Sequence, residues 1–195
     1  MPAVRPALLL RLILYGMSTL FRIRHTLNNP DMLRNIGPLI PAWWGITSKD
    51  GPNTSQKIQG NILFDTGAST IGIDESAAER LGLQPLSKKE DLHGIGAKHS
   101  VNAYNATLFL PVETVRQIGP TPVGSIVTIG FPLMALGVVG MQANYEAHNL
   151  KAANGLPVIG ILGRSFLQFT RFIYDGPAGN LVIEIDESVR HPRKA

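Results

Sequence analysis

At 195 residues, 44% apolar and 16% charged, the chain is long enough for one core of ordinary size and too short for two full domains. Much of its modest formal charge of +4 sits at the two ends (Arg5, Arg11, Arg22 and Arg24; Arg190, Arg193 and Lys194), and no basic patch interleaved with aromatics argues for nucleic acid as a partner. The absence of cysteine excludes disulfide staples, thiolate metal sites and cysteine nucleophiles.

Residues 1–36 read as a leader, poorly ordered or amphipathic. Its apolar run "ALLLRLILY", residues 7–15, falls short of the roughly 20 residues of a membrane-spanning helix and is interrupted by Arg11. No small-residue cleavage site follows, unlike a secretory signal. Three readings stay open: an amphipathic leader, a membrane-surface or signal element giving weak membrane association through residues 1–25, or an over-long start with the true one at Met17. The expected location is the cytoplasm.

Beyond the leader, "PLIPAWWGIT" at 38–47 has β-formers broken by Pro41 and reads as an edge strand. Asp50-Gly51 marks a turn, and "QKIQGNILF" continues as the second arm of a hairpin ending at Asp65. Residues 73–83 predict a short helix, capped by Asp74 and stopped near Gly82. Residues 91–111 predict two extended arms around Gly94-Ile95-Gly96, a β-hairpin with a flexible tip. Residues 124–141 form a second apolar β region, too rich in glycine and proline for a membrane span. A polar connector with a helical turn or a loop leads to a buried strand at 156–163, a short helix at "RSFLQF", and a strand–turn–strand unit closing the fold. The sum is an all-β single domain over 37–187 with two short helices, followed by a solvated tail at 188–195.

The chemistry-bearing stretch is "NILFDTGAST", residues 61–70: an apolar strand delivers a carboxylate straight into a turn of small residues. Asp65-Thr66-Gly67 alone arises by chance in on the order of a few per cent of chains of this length. Two companions sharpen it, the Gly-x-Gly hairpin some thirty residues later and the triplet Ile161-Leu162-Gly163 leading into a helix.

With "LFDTGAS" at 63–69, "HGIGA" at 93–97 and "VIGILGRSFL" at 158–167 in this order, the sequence over roughly residues 38–186 resembles the retropepsin-like aspartic proteases, the small bacterial and retroviral type. The resemblance implies an acid-protease barrel, one lobe per chain, with the site at a dimer interface. It implies an aspartic endopeptidase acting on extended polypeptide through a water held between two carboxylates that share a proton. Asp65 would be the acid and base by turns, with Thr66 and Gly67 in support. Ala68, Ser69, Gly94, Ile95 and Gly96 would meet substrate, the last three as a flap tip closing over it. Ile161, Leu162, Gly163 and Arg164 would support the catalytic loop. In retroviral relatives the Arg pairs with an acid four residues past the catalytic one. That position is Ser69 here, so the ion pair either finds another acid, such as Asp74, or is absent. Ala68 lacks the hydroxyl of pepsin-like relatives, which implies a less acidic working range. Because one Asp-Thr-Gly is present and two are needed, Asp65 would come from each of two chains of a homodimer. No metal or organic cofactor is implied. The 112–157 segment, longer than in retroviral relatives, would either cover the site or extend the dimer contact.

Blander readings stand beside these. Asp65 could be a turn carboxylate, Gly94–Gly96 an ordinary hairpin turn, and Ile161–Gly163 a core strand with a glycine stop. His93, His99 and His148 fit no familiar zinc spacing, and Ser165 lacks the glycine two residues on that a nucleophile elbow needs. The competing function is a catalytically silent peptide-binding or dimerisation module of the same fold.

Overall fold

The computed structural model describes residues 19–26, 33–35, 37–48, 51–94, 97–116, 120–147 and 154–186. Apolar and alternating segments become strands: β1 (Thr19–Thr26), β2 (Leu39–Ser48), β3 (Gly51–Phe64), β4 (Ile71–Asp74), β5 (Glu90–Gly94), β6 (Ala97–Val101), β7 (Ala103–Thr114), β8 (Ile126–Val138), β9 (Val158–Leu162), β10 (Thr170–Asp175) and β11 (Asn180–Asp186). Short helices punctuate them, among them α1 (Glu75–Arg80), α2 (Met141–Ala147) and α3 (Arg164–Leu167). None of the described helices is long and apolar enough to cross a membrane.

Six strands close on themselves in the order β7-β2-β3-β9-β4-β8, with β8 returning to β7. Closure leaves the barrel backbone paired and removes the edge problem of an open sheet. From the far end of β7 the sheet continues outward through β1, β11 and β10, while β5 and β6 make a two-stranded sheet of their own. Trp44, Ile62, Leu108, Leu110, Phe131 and Leu162 are fully buried in the core. The ring of Phe131 sits edge-on to Phe21 at 6.2 Å and to Phe166 at 5.9 Å, so strands β1 and β8 and helix α3 meet in one aromatic contact. Trp44 also donates its indole N–H to the Ile159 carbonyl, 3.0 Å away, tying β2 to β9 inside the core.

The all-β barrel, the β2–β3 hairpin and the β5–β6 hairpin follow the sequence reading, and three features depart from it. First, β2 is an interior strand, flanked by β3 and β7. Pro41 is tolerated because pairing with β7 begins only at Trp43, so at Pro41 the strand has β3 alone as a neighbour. Second, residues 19–26, within the stretch read as leader, form β1. Its Phe21 and Ile23 point into the core, and it pairs with β11 along its length. Third, residues 71–74, partly assigned to a helix, form the buried strand β4, and the helix begins only at Glu75. Asp74 caps α1 as expected, accepting from the Ala77 N–H.

Within the described part of the 112–157 segment, the end of β7 and all of β8 belong to the barrel wall. Strand β8 runs antiparallel to β7 from Ala103↔Leu136 to Glu113↔Ile126. The following α2 buries Met141 beside Leu39 and Val158.

Candidate active site

β3 delivers Asp65. Ile62 and Phe64 alternate into the core, so the strand is held rigidly up to the residue before the carboxylate. The Asp65 N–H donates to the Leu162 carbonyl at 3.1 Å, carrying the β3–β9 ladder one residue into the loop. The chain then turns: the Ala68 N–H donates to the Asp65 carbonyl at 3.3 Å, and the Gly67 N–H donates to Oδ1 of Asp65 at 2.7 Å. That second bond fixes the orientation of the carboxylate from within its own turn. A side chain at residue 67 would begin 3.0 Å from the same Oδ1, which is why a glycine stands there.

After the turn the chain enters β4, but β3 and β4 are not neighbours. Strand β9 lies between them, parallel to β3 (Phe64↔Leu162) and antiparallel to β4 (Ile71↔Leu162). The Asp65 loop therefore arches over the end of β9, and the residues leaving β9 lie directly beneath it. They grip the loop through its backbone. The carbonyls of Thr66 and Gly67 both accept from Nη1 of Arg164 at 3.0 Å. The carbonyl of Ala68 accepts from the Arg164 N–H at 2.9 Å, that of Ser69 from the Ser165 N–H at 3.2 Å, and that of Thr70 from the Gly163 N–H at 3.0 Å. Five consecutive loop carbonyls are thus satisfied by three consecutive residues. At Gly163 a Cβ would run into the Thr70 and Ala68 carbonyls, so no other residue lets the two backbones approach this closely.

The structure accordingly brings Ile161, Leu162, Gly163 and Arg164 together with Asp65–Ser69. Leu162 is fully buried behind the loop, and Ile161 pairs with Leu63 and Gly72. Asp65 and Ala68 are half-buried, and Thr66, Gly67 and Ser69 are exposed, so the loop lies at the surface with Asp65 partly accessible. The suggested Arg164–Asp74 pair does not form. Arg164 is directed to loop carbonyls, and the Asp74 carboxylate accepts from the Ser76 hydroxyl and the Ala77 N–H. Gly94 ends β5 opposite Ala97, as the hairpin reading requires. Ile95 and Gly96, the rest of the expected flap tip, lie outside the described residues. Among the described residues, no group of three or more His, Asp or Glu side chains could hold a metal ion.

One polar cluster near the root of that hairpin went unread in the sequence. Oε1 of Glu75 accepts from the Tyr104 hydroxyl at 2.6 Å and from Nδ2 of Asn102 at 2.9 Å. Burial first, and donation to the Glu75 carboxylate second, push the Tyr104 phenol up to about 12. Its partners lie 29 and 2 positions away in sequence, with no local spacing to flag them.

No curated protein is similar enough in sequence to be matched to this chain. The model of the aspartyl protease family, however, matches residues 53–166, a span running from the strand that delivers Asp65 to the helix that grips its loop. With more than half of its length matched, and with that stretch folded as a closed β-barrel, the chain belongs to the aspartyl protease family of retropepsin-like type.

Proposed function

We propose that the protein is an aspartic endopeptidase that cleaves extended polypeptide segments as a homodimer, with Asp65 of each chain forming a carboxylate pair. The observation that carries this reading is the Asp65 loop, whose five carbonyls are anchored from behind while its carboxylate is oriented by Gly67 and presented at the surface. A carboxylate held only to cap a turn would not require such a frame. One carboxylate takes a proton from the attacking water, and the other donates one to the carbonyl oxygen of the scissile bond. Two such groups in contact share one proton, because both cannot readily ionise side by side. A single chain supplies one Asp-Thr-Gly, so the second comes through a two-fold axis. The β5–β6 hairpin serves as the flap, shielding the site and offering backbone groups to an extended substrate. Ala68 brings no hydroxyl to the carboxylates, which favours activity nearer neutrality than in pepsin-like relatives.

The test is cleavage of an unfolded protein substrate from roughly pH 3 to 8, with Asp65→Asn purified in parallel. Cleavage by the wild type and its loss in the variant is the expected result. Equal rates in both would remove Asp65 from the mechanism. Silence in both, from a dimeric protein, would favour a peptide-binding module of the same fold.

A further inference from the structure

The β5–β6 hairpin shares no sheet with the barrel, so its placement depends on how its root is fastened. On the entering arm, the Leu86 N–H donates to the Ala103 carbonyl at 2.7 Å, and Pro85 bridges to Tyr104. On the leaving arm one residue, Asn102, separates β6 from β7, and it is held on two sides. Its carbonyl accepts from the Gly137 N–H of β8 at 2.8 Å, and its Nδ2 donates to Oε1 of Glu75 at 2.9 Å. The same Oε1 accepts from Tyr104, the second residue of β7. Glu75 packs so closely on Gly137 that a side chain at that position would collide with its carboxylate. Glu75 opens α1, which follows directly on β4, and β4 follows directly on the Asp65 loop. The segment that leaves the carboxylate therefore ends by grasping the root of the hairpin.

We infer that Glu75, acting through Asn102, is a positioning residue for the β5–β6 hairpin, fixing the root from which its two arms extend. The inference rests on the protease reading for its functional consequence, while the anchoring itself is a property of the fold. The described hydrogen bonds of Glu75 go to Asn102 and Tyr104 and not to Asp65. Glu75 sets where the hairpin stands relative to the loop that Asp65 occupies. An anchor of this kind governs how readily substrate is captured more than how fast a captured substrate reacts.

The experiment uses the full chain in three variants, Glu75→Ala, Glu75→Gln and Asn102→Ala. Each is examined by amide hydrogen exchange and by cleavage of an unfolded protein substrate. Glu75→Ala leaves the Tyr104 hydroxyl without its acceptor and the Asn102 amide with only the longer bond to the Tyr104 hydroxyl at 3.4 Å. Exchange over 90–101 should then quicken by about tenfold, with exchange in β10 and β11 unchanged, and KM should rise by about tenfold with kcat altered much less. Gln keeps an acceptor oxygen at the same place and should restore both readouts. Asn102→Ala leaves the Tyr104–Glu75 bond intact and should loosen the same hairpin, so it carries the comparison if Glu75→Ala does not fold. Unchanged exchange over 90–101 in a folded Glu75→Ala or Asn102→Ala protein would overturn the inference. Faster exchange in a protein whose wild type cleaves nothing would leave the anchor standing and remove the protease reading instead.

Discussion

Asp65, Gly67 and Gly163 are legible from sequence because their chemistry depends on residue type: a carboxylate, a position where a Cβ would crowd that carboxylate, and one where a Cβ has no room. The partners of Arg164 are not legible, for a physical reason. It binds the carbonyls of Thr66 and Gly67, and every residue carries a carbonyl, so no pattern of side chains could announce them. Tyr104 is a similar case, made unusual only by its burial and by Glu75 folding over it. Its pKa is raised from 10.0 to about 12 in the fold, so the folded state favours the neutral phenol. The stabilisation is fully present below pH 10 and is lost as pH climbs through the folded value. A two-unit shift corresponds to about 2–3 kcal/mol. Urea midpoints measured from pH 9 to 12 should fall steeply across this window in the wild type and more gently in Tyr104→Phe, with tyrosinate absorbance reporting the titration.

At the scale of elements, strands with a strong apolar run or a clear turn were readable, and β1 was not. Phe21 and Ile23 alternate with Arg22 and Arg24, but so short an alternation inside an arginine-bearing stretch reads equally well as an amphipathic leader. What makes it a strand is partnership. Arg22 pairs with Glu184 at 2.6 Å across 162 positions of sequence, and Arg24 meets Glu113 at 3.1 Å. The apolar side of the strand carries the energy, since the exposed Arg24 pair contributes little. Phe21 is wholly buried against Phe131, so Phe21→Ala should destabilise the protein by about 3–5 kcal/mol. Chemical denaturation would measure this, and a loss below about 1 kcal/mol would mean that β1 is dispensable. Pro41 teaches the converse. Proline marks a strand position with an unpaired side, and that position can lie at the end of an interior strand.

At the scale of the molecule, each barrel has one Asp65 loop on its surface, and the proposed chemistry needs two. Activity per chain should therefore fall on dilution along the same curve as dimer dissociation followed by analytical ultracentrifugation. Adding excess Asp65→Asn protein to the wild type should suppress cleavage as mixed dimers form. Activity that tracks concentration linearly, with no suppression by the variant, would place a complete site in one chain. The barrel itself was foreseeable only through the resemblance carried by Asp65-Thr66-Gly67 and its companions, because alternating strands with frequent turns indicate an all-β class and fit a sandwich as well as a barrel. Its strand order was not, because β9 enters between β3 and β4 from far along the chain.

On the protease reading, that insertion governs when the site can form. Arg164 reaches Gly67 across 97 positions, and contacts of such long range form late and slowly. A ribosome that has released residues 61–70 has made the acid but nothing to hold it. Until β9 and the start of α3 emerge, the five carbonyls have only water as a donor and the turn has no floor. The frame of the proposed centre is therefore timed by the order of synthesis: it is complete only when residues 158–165 have threaded into place.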